Sequence, residues 1–77
     1  MKILTDKEDY LRVSVTSTDK ERNKVEKVLG YLERKFGYSF NIIPHYMGGR
    51  EYRCFCDNNE DFYDFKGRYA VAAEAVR

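Results

Sequence analysis

The chain has 77 residues, enough for one hydrophobic core and too few for a second domain. Tyr and Phe make up 16% of the residues, so a core can form without disulfides and the intrinsically disordered class is excluded. The 14 basic and 13 acidic residues nearly balance, which excludes a uniformly basic surface of the kind that attracts nucleic acid or an anionic membrane.

The residues that bear on the compartment are the two cysteines and the apolar runs. Cys54 and Cys56 are one residue apart, so a disulfide between them would be strained and reduced thiols are the simpler expectation. No stretch approaches the roughly eighteen apolar residues of a membrane span, and the first ten residues are charged where a signal peptide is apolar. We therefore expect a cytoplasmic protein that has no membrane partner.

The first elements in the chain are predicted to be a short arm and a strand. Residues 1–9 are rich in charge around Ile3 and Leu4, and we expect either a mobile arm or a short edge strand. In residues 10–16 the apolar Leu11, Val13 and Val15 alternate with polar residues, which predicts a half-buried strand.

A capping box marks the start of the first helix. Thr18 and Glu21 have the spacing at which each side chain hydrogen-bonds the backbone N–H of the other residue. Apolar residues then recur at helical spacing as far as Phe36, and Gly37 tolerates the positive φ of a C-terminal cap. We predict a helix over residues 19–36.

Two strands and a hairpin are predicted next. Residues 38–42 alternate aromatic or aliphatic with polar side chains, and Pro44 ends the strand because it has no N–H to donate. Residues 45–49 contain the Gly pair that a chain reversal needs, and residues 50–56 form the third strand, with Phe55 and Arg53 on the side away from the core.

The second helix is predicted after an acidic capping segment that begins at Asp57. Its apolar face is expected to contain Phe62, Phe65 and Tyr69, and it continues close to the end of the chain. The predicted fold is therefore a single α+β domain over residues 1–77 with the order β-α-β-β-α. A short, mainly antiparallel three-stranded sheet has its third strand between the first two and both helices on one face, which resembles a ferredoxin-like fold without its last strand.

The most informative surface feature is a row of basic residues on the first helix. At 100° per residue, five cations and one tyrosine fall within about one hundred degrees of each other. Such a row can contact phosphates or an acidic protein surface. In the alternative interpretation, the row pairs with Glu60, Asp64 and Glu74 of the second helix and has no external partner. We call these residues the basic stripe: Lys20, Lys24, Lys27, Tyr31, Arg34 and Lys35.

Two further groups are candidate contacts with a protein partner. Tyr46 and Met47 lie at the predicted hairpin tip, where exposed residues of these types are typical of protein interfaces. Glu60, Tyr63 and Asp64 form an acidic and aromatic segment at the start of the second helix, although helix capping also explains acids there.

The open sheet face is the candidate for nucleic-acid binding. Arg12, Arg53 and Phe55 are expected side by side, at the place where ferredoxin-like RNA-binding domains carry stacking aromatics. The third strand lacks the glycine-aromatic motif of those domains, and Glu51 adds negative charge.

Enzymatic chemistry has weak support in the sequence. His45, Cys54 and Cys56 could be interpreted as metal ligands or as a thiolate with a base, but the cysteine spacing is unlike that of structural zinc sites. We expect no cofactor, no metal and no catalytic residue.

The sequence thus favours a non-enzymatic regulatory protein that modulates or inhibits a larger macromolecular complex by surface contact. Phage-made inhibitors of host defence nuclease complexes are often of this size and fall within that hypothesis. The alternative is a small nucleic-acid-binding module that uses the basic stripe and the open sheet face. The sequence leaves the oligomeric state open.

Overall fold

A computed structural model describes all 77 residues of the chain. The elements follow the order strand, strand, helix, strand, strand, helix. Their bounds are β1 Lys2–Asp6, β2 Arg12–Ser17, α1 Arg22–Phe36, β3 Asn41–Pro44, β4 Arg50–Phe55 and α2 Asn59–Ala75.

The four strands form one open sheet in the order β1-β2-β4-β3, and every neighbouring pair is antiparallel. Because β2 and β3 both pair with β4, these two strands run parallel to each other and α1 connects them across the sheet. The predicted α+β class, with two helices and a small antiparallel sheet, is confirmed.

The prediction of three strands is wrong, because β1 adds a fourth strand at one edge. It pairs with β2 from Lys2 opposite Thr16 to Asp6 opposite Arg12. Of the two alternatives for residues 1–9, the edge strand is the one observed. Ile3 explains the docking, since this partly buried side chain packs against the core while the charged residues around it remain in solvent.

The starts of two predicted strands also shift, and the last strand ends at Phe55, one residue earlier than predicted. Tyr10 and Leu11 each have φ of 56°, the left-handed region, so they belong to the β1–β2 turn and β2 begins at Arg12. Tyr38 and Phe40 precede β3, because their rings are held by tertiary contacts instead of a strand ladder. The Tyr38 ring lies 5.3 Å from that of Phe65, and Phe40 lies 6.0 Å from the same ring.

The predicted cap chemistry is present in the turn before α1, at the end of α1 and at the start of α2, although the N-cap residue of α1, Glu21, makes no side-chain cap hydrogen bond. The Thr18 N–H donates to Glu21 Oε1 at 3.2 Å, and the Glu21 N–H donates to Thr18 Oγ1 at 3.3 Å, which is a capping box. Residues 19–21 form a tight turn, so α1 starts at Arg22, three residues later than predicted. Gly37 caps its C-terminus with φ of 82°, and the Asn58 side chain caps α2 by accepting from the Asp61 N–H.

Both helices pack on the same face of the sheet, as predicted, and run antiparallel to each other. β2 and β4 contribute Val13, Val15, Tyr52 and Cys54 to this face. The hydroxyl of Tyr52 donates to Glu26 of α1 at 2.6 Å, which places α1 over the β4 side. The helices complete the core with Val25, Val28, Leu29, Leu32, Phe62, Phe65, Tyr69 and Ala72, joined by Tyr38 from the connection.

Candidate binding surface on helix α1

The basic stripe runs along an exposed flank of α1, where Lys24 lines a cavity with Tyr69 and Ala73 of α2. All five of its cations are exposed, and Tyr31 is half-buried beside the core. The helical part of the stripe, from Lys24 to Lys35, is about 16 Å long at the rise of an α-helix. Lys20 lies in the turn before Arg22 and extends the stripe past the helix N-terminus.

The cations of the stripe form no salt bridge within the chain. The acids of α1 do not neutralise them, because Glu26 lies on another side of the helix. There the Glu26 carboxylate accepts from Tyr52 and lies 3.5 Å from the Arg50 guanidinium. The stripe is therefore a row of solvated positive charge with no internal counterion.

The acids of α2 pair with Arg68 and Arg77 and not with the stripe, so the interpretation that pairs the two helices is wrong. Arg68 lies 2.8 Å from an Asp61 oxygen, 3.3 Å from a Glu60 oxygen and 3.6 Å from an Asp64 oxygen. Glu74 contacts Arg77 at 3.2 Å. These carboxylates contact arginines of the C-terminal segment, and none of them contacts a cation of the stripe.

Arg68 is the residue that sequence reasoning missed. Its guanidinium also lies 4.5 Å from the centre of the Phe36 ring and donates to the Tyr38 hydroxyl at 3.1 Å. The pKa of Arg68 is raised, chiefly by its hydrogen bond to Asp61. The signal was the Asp64-to-Arg68 spacing of four, which places a carboxylate beside a guanidinium on one helix face.

The hairpin tip projects fully into solvent. Tyr46 is 98% exposed and Met47 is 89% exposed, so neither side chain folds back over the sheet. The turn requires Gly49, because a Cβ there would lie 2.6 Å from the Ser17 carbonyl oxygen. The Gly49 N–H donates to Asp19 at 3.1 Å, which fixes the tip next to the Lys20 end of the basic stripe.

The acidic and aromatic segment lies at the other end of the molecule. Tyr63 is 59% exposed, and the Lys7 ammonium lies 5.4 Å from the centre of its ring. Tyr63 and Asp64 line a shallow groove of about 430 Å³ together with Phe36 and Gly67. The structure thus brings the hairpin tip together with the basic stripe but separates Glu60, Tyr63 and Asp64 from that tip.

The open sheet face is electrically balanced. Arg12 contacts Asp6 at 3.4 Å and Asp9 at 3.1 Å. Arg53 contacts both oxygens of Glu51, at 2.9 and 3.2 Å, and this hydrogen bonding lowers the pKa of the Glu51 carboxyl.

Phe55 lies opposite Arg12 on the same open face and is 46% exposed. Arg12, Arg53 and Phe55 therefore share one face, as predicted, but both of its arginines already have carboxylate partners.

Neither cysteine is in an environment that favours the thiolate. Burial raises the pKa of Cys54, and burial together with the neighbouring Cys54 raises the pKa of Cys56 to about 12. His45 lies instead at the start of the hairpin turn, with Nε2 3.9 Å from Glu51. His45, Cys54 and Cys56 form no metal-binding group.

The chain matches no protein-family model, no curated protein and no solved structure. Neither α1 nor α2 has the length and the apolar run that crossing a membrane requires. The basic stripe, with the hairpin tip at its N-terminal end, is the surface on which a functional interpretation rests.

Proposed function

We propose that this chain is a non-enzymatic regulatory protein whose basic stripe docks on an acidic surface of a larger macromolecular complex and thereby modulates or inhibits it. The observation that supports this proposal is the absence of any internal counterion for the five cations of the stripe. Phage-made inhibitors of host defence nuclease complexes belong to this class of protein.

The charge distribution supports a specific contact instead of general attraction. The net charge of the chain is +1, so the stripe concentrates a positive charge that is balanced elsewhere on the molecule. A protein with this distribution orients its α1 side toward an acidic partner and is not attracted through its other sides.

The hairpin tip supports a protein partner. Tyr46 and Met47 stand free beside the Lys20 end of the stripe. An exposed tyrosine and an adaptable methionine next to a charged surface match the composition of protein interfaces, in which an apolar anchor is surrounded by polar contacts. Bases of nucleic acid also stack on tyrosine, but methionine offers them no comparable surface.

Nucleic-acid binding through the stripe is the second candidate function, and the same unpaired cations favour it. Its second component, the open sheet face, contributes less free charge because Arg12 and Arg53 are already paired with carboxylates. The stripe alone therefore has to supply the phosphate contacts in this alternative.

The test is a pull-down from nuclease-treated lysate of the native host with wild-type protein and with Lys24→Glu/Lys27→Glu. The control is Lys7→Glu/Arg77→Glu, which changes the net charge equally at two exposed positions outside the stripe. We expect a specific protein complex with wild type and control, identified by mass spectrometry, and its loss with the stripe variant. Equal recovery with the stripe variant contradicts the proposal.

Salt dependence separates the two candidate functions. A module with about five phosphate contacts loses affinity for nucleic acid with a log–log slope of about −4 between about 50 and 200 mM salt. Fluorescence anisotropy with duplex and single-stranded probes measures this slope directly. Binding of a probe that is lost in Lys24→Glu/Lys27→Glu favours the nucleic-acid function. If wild type binds neither probe at the lowest salt, the nucleic-acid function is excluded.

A further inference from the structure

Strand β1 forms one free edge of the sheet, since its only neighbour is β2. It has no proline and no bulge, and it is paired in continuous register over its whole length. Such an edge is a template for another strand unless charge or a covering element blocks it.

The backbone groups that β1 presents outward can be identified from the ladder. The Cys56 N–H donates to the Leu11 carbonyl at 3.1 Å, so Leu11 and alternate residues of β2 direct their backbone groups to β4. Arg12, Ser14 and Thr16 therefore direct their backbone groups to β1. Leu4, which lies opposite Ser14, directs its own N–H and C=O groups to β2. Ile3 and Thr5 are thus left with outward N–H and C=O groups.

The sequence of β1 is complementary to itself in the antiparallel direction. With a two-fold axis at Leu4, Ile3 of one copy lies opposite Thr5 of the other, and the outward groups of both copies form four hydrogen bonds. Lys2 then lies opposite Asp6, twice, and the half-exposed Leu4 side chains meet at the axis.

Helix α2 lies beside the same edge. The Lys7 ammonium, which follows β1, is 5.4 Å from the centre of the Tyr63 ring of α2. At the other end of β1, Met1 and Tyr69 of α2 line one cavity of about 230 Å³. A second copy joined at β1 therefore brings its own α2 alongside this helix.

The face of α2 that points away from α1 is also self-complementary. Lys66, Ala70 and Glu74 are exposed at spacings of four residues, so they lie in one row. In an antiparallel pair of α2 helices centred on Ala70, Lys66 of each copy meets Glu74 of the other. The contact of Glu74 with Arg77 can be exchanged for this one, because both side chains are about three-quarters exposed. The small central residue permits close approach.

We propose that a second copy of this chain docks on β1, so that the two four-stranded sheets join into one antiparallel sheet across a two-fold axis at Leu4. Charge complementarity along both β1 and α2 selects a second copy over an unrelated strand. The dimer contacts lie on β1 and on the row of Lys66, Ala70 and Glu74, none of which belongs to the basic stripe, so the dimer leaves two stripes free. Dimer formation is independent of what the stripe binds.

The test is the mass of the native protein by analytical ultracentrifugation from about 1 µM to about 1 mM. We expect twice the monomer mass of 9.2 kDa at high concentration. Thr5→Pro removes an outward N–H without removing a bond to β2, and we expect it to be monomeric. A monomeric wild type over the whole range, or a Thr5→Pro protein that dimerises like wild type, overturns the proposal.

Charge reversal gives a second and more specific test. Lys2→Glu places like charges opposite each other twice, and so does Asp6→Lys, so each variant alone should dimerise about tenfold more weakly. An equimolar mixture restores opposite charges in a heterodimer and should recover the dimer. Lys27→Glu, with the same charge change on the stripe, should dimerise like wild type.

Backbone amide exchange locates the interface and guards against variants that fail to fold. Circular dichroism establishes whether Asp6→Lys is folded, since Asp6 also contacts Arg12. In the wild type, the Ile3 and Thr5 amides should become protected from exchange as concentration rises. A dimer that leaves both amides unprotected uses another surface and overturns the proposal.

Discussion

The two helices treat their charges in opposite ways. Helix α2 gathers Glu60, Asp61 and Asp64 around a single arginine, whereas α1 turns its cations to solvent without any partner. The sequence shows both groups of charge but does not show whether either has a counterion. The difference teaches that a charged row becomes a candidate binding surface only when the structure has no counterion for it.

Even within α1 the cations are not equivalent. Arg34 and Lys35 lie in the last turn, where positive charge interacts favourably with the helix dipole, so the fold itself gives a reason for them. Lys20, Lys24 and Lys27 lie near the helix start at spacings of four and three, where their ammonium groups repel one another. Lys24, in the first turn, also interacts unfavourably with the helix dipole. The N-terminal half of the stripe is thus the part that stability does not explain.

The largest change in stability is expected at Arg68, which pairs with the acids of its own helix. Arg68→Met removes the contacts with Asp61, the Tyr38 hydroxyl and the Phe36 ring, while its methylene packing is largely kept. We expect a loss of about 2 kcal/mol in the free energy of unfolding, because a partly buried charged hydrogen-bond donor and a cation–π contact are lost together. Urea denaturation measures this loss.

Arg68→Lys is the matched control for that prediction. It keeps the charge but cannot form the forked contacts, so its stability should fall between wild type and Arg68→Met. If Arg68→Met were as stable as wild type, the acids of α2 would not depend on this residue, and the contrast between the helices would fail.

The helix caps should have smaller and similar effects in the two helices. Thr18→Ala removes the capping box of α1, and Asn58→Ala removes the side-chain cap of α2. Each should cost about 1 kcal/mol, measured by thermal and urea unfolding. Equal losses would show that the helices differ in their charges and not in their ends, whereas a negligible loss for Thr18→Ala would contradict the capping box.

The fold was predictable wherever local chemistry decides. Thr18, Gly37 and Asn58 marked helix ends because their side chains or backbone freedom act on the nearest residues. The fourth strand was not predictable with the same security, since β1 depends on Ile3 reaching a core assembled from distant elements. Tyr10 was misassigned to a strand because its left-handed backbone follows from the turn geometry.

The candidate site was predictable in part. Helical periodicity placed the basic stripe on one face. Whether the acids of α2 pair with the stripe depended on Arg68, which contacts Asp61 and Asp64 within its own helix. The pairing of Arg12 with Asp6 likewise depended on cross-strand register, whereas Arg53 pairs with Glu51 two residues away on the same strand. Periodicity assigns faces, whereas counterions are a property of the assembled structure.

Acid should weaken the start of α1 over a defined range. The hydrogen bond from the Met1 ammonium, and to a smaller extent those from Thr18, lower the pKa of Glu21 to about 2. The pKa of Glu21 in the folded chain lies below that of an unfolded Glu, about 4.3. The contacts of the Glu21 carboxylate therefore stabilise the fold fully above about pH 4.3. This stabilisation is lost as pH falls toward about 2. Carbon-13 NMR titration of the Glu21 carboxyl checks the pKa, and titration at the ordinary value would contradict these contacts.

The smallest stability change is the most informative about the stripe. Lys27→Glu replaces a repulsion with Lys24 by an attraction, so the free energy of unfolding should rise by a few tenths of a kcal/mol, about 0.2–0.5. The same variant should bind its partner more weakly, because a central contact of the stripe is reversed. Opposite signs of stability and binding indicate a residue retained for function at a cost to the fold. A variant that gains stability and loses no binding would place the contact surface elsewhere and leave the unpaired cations of α1 unexplained.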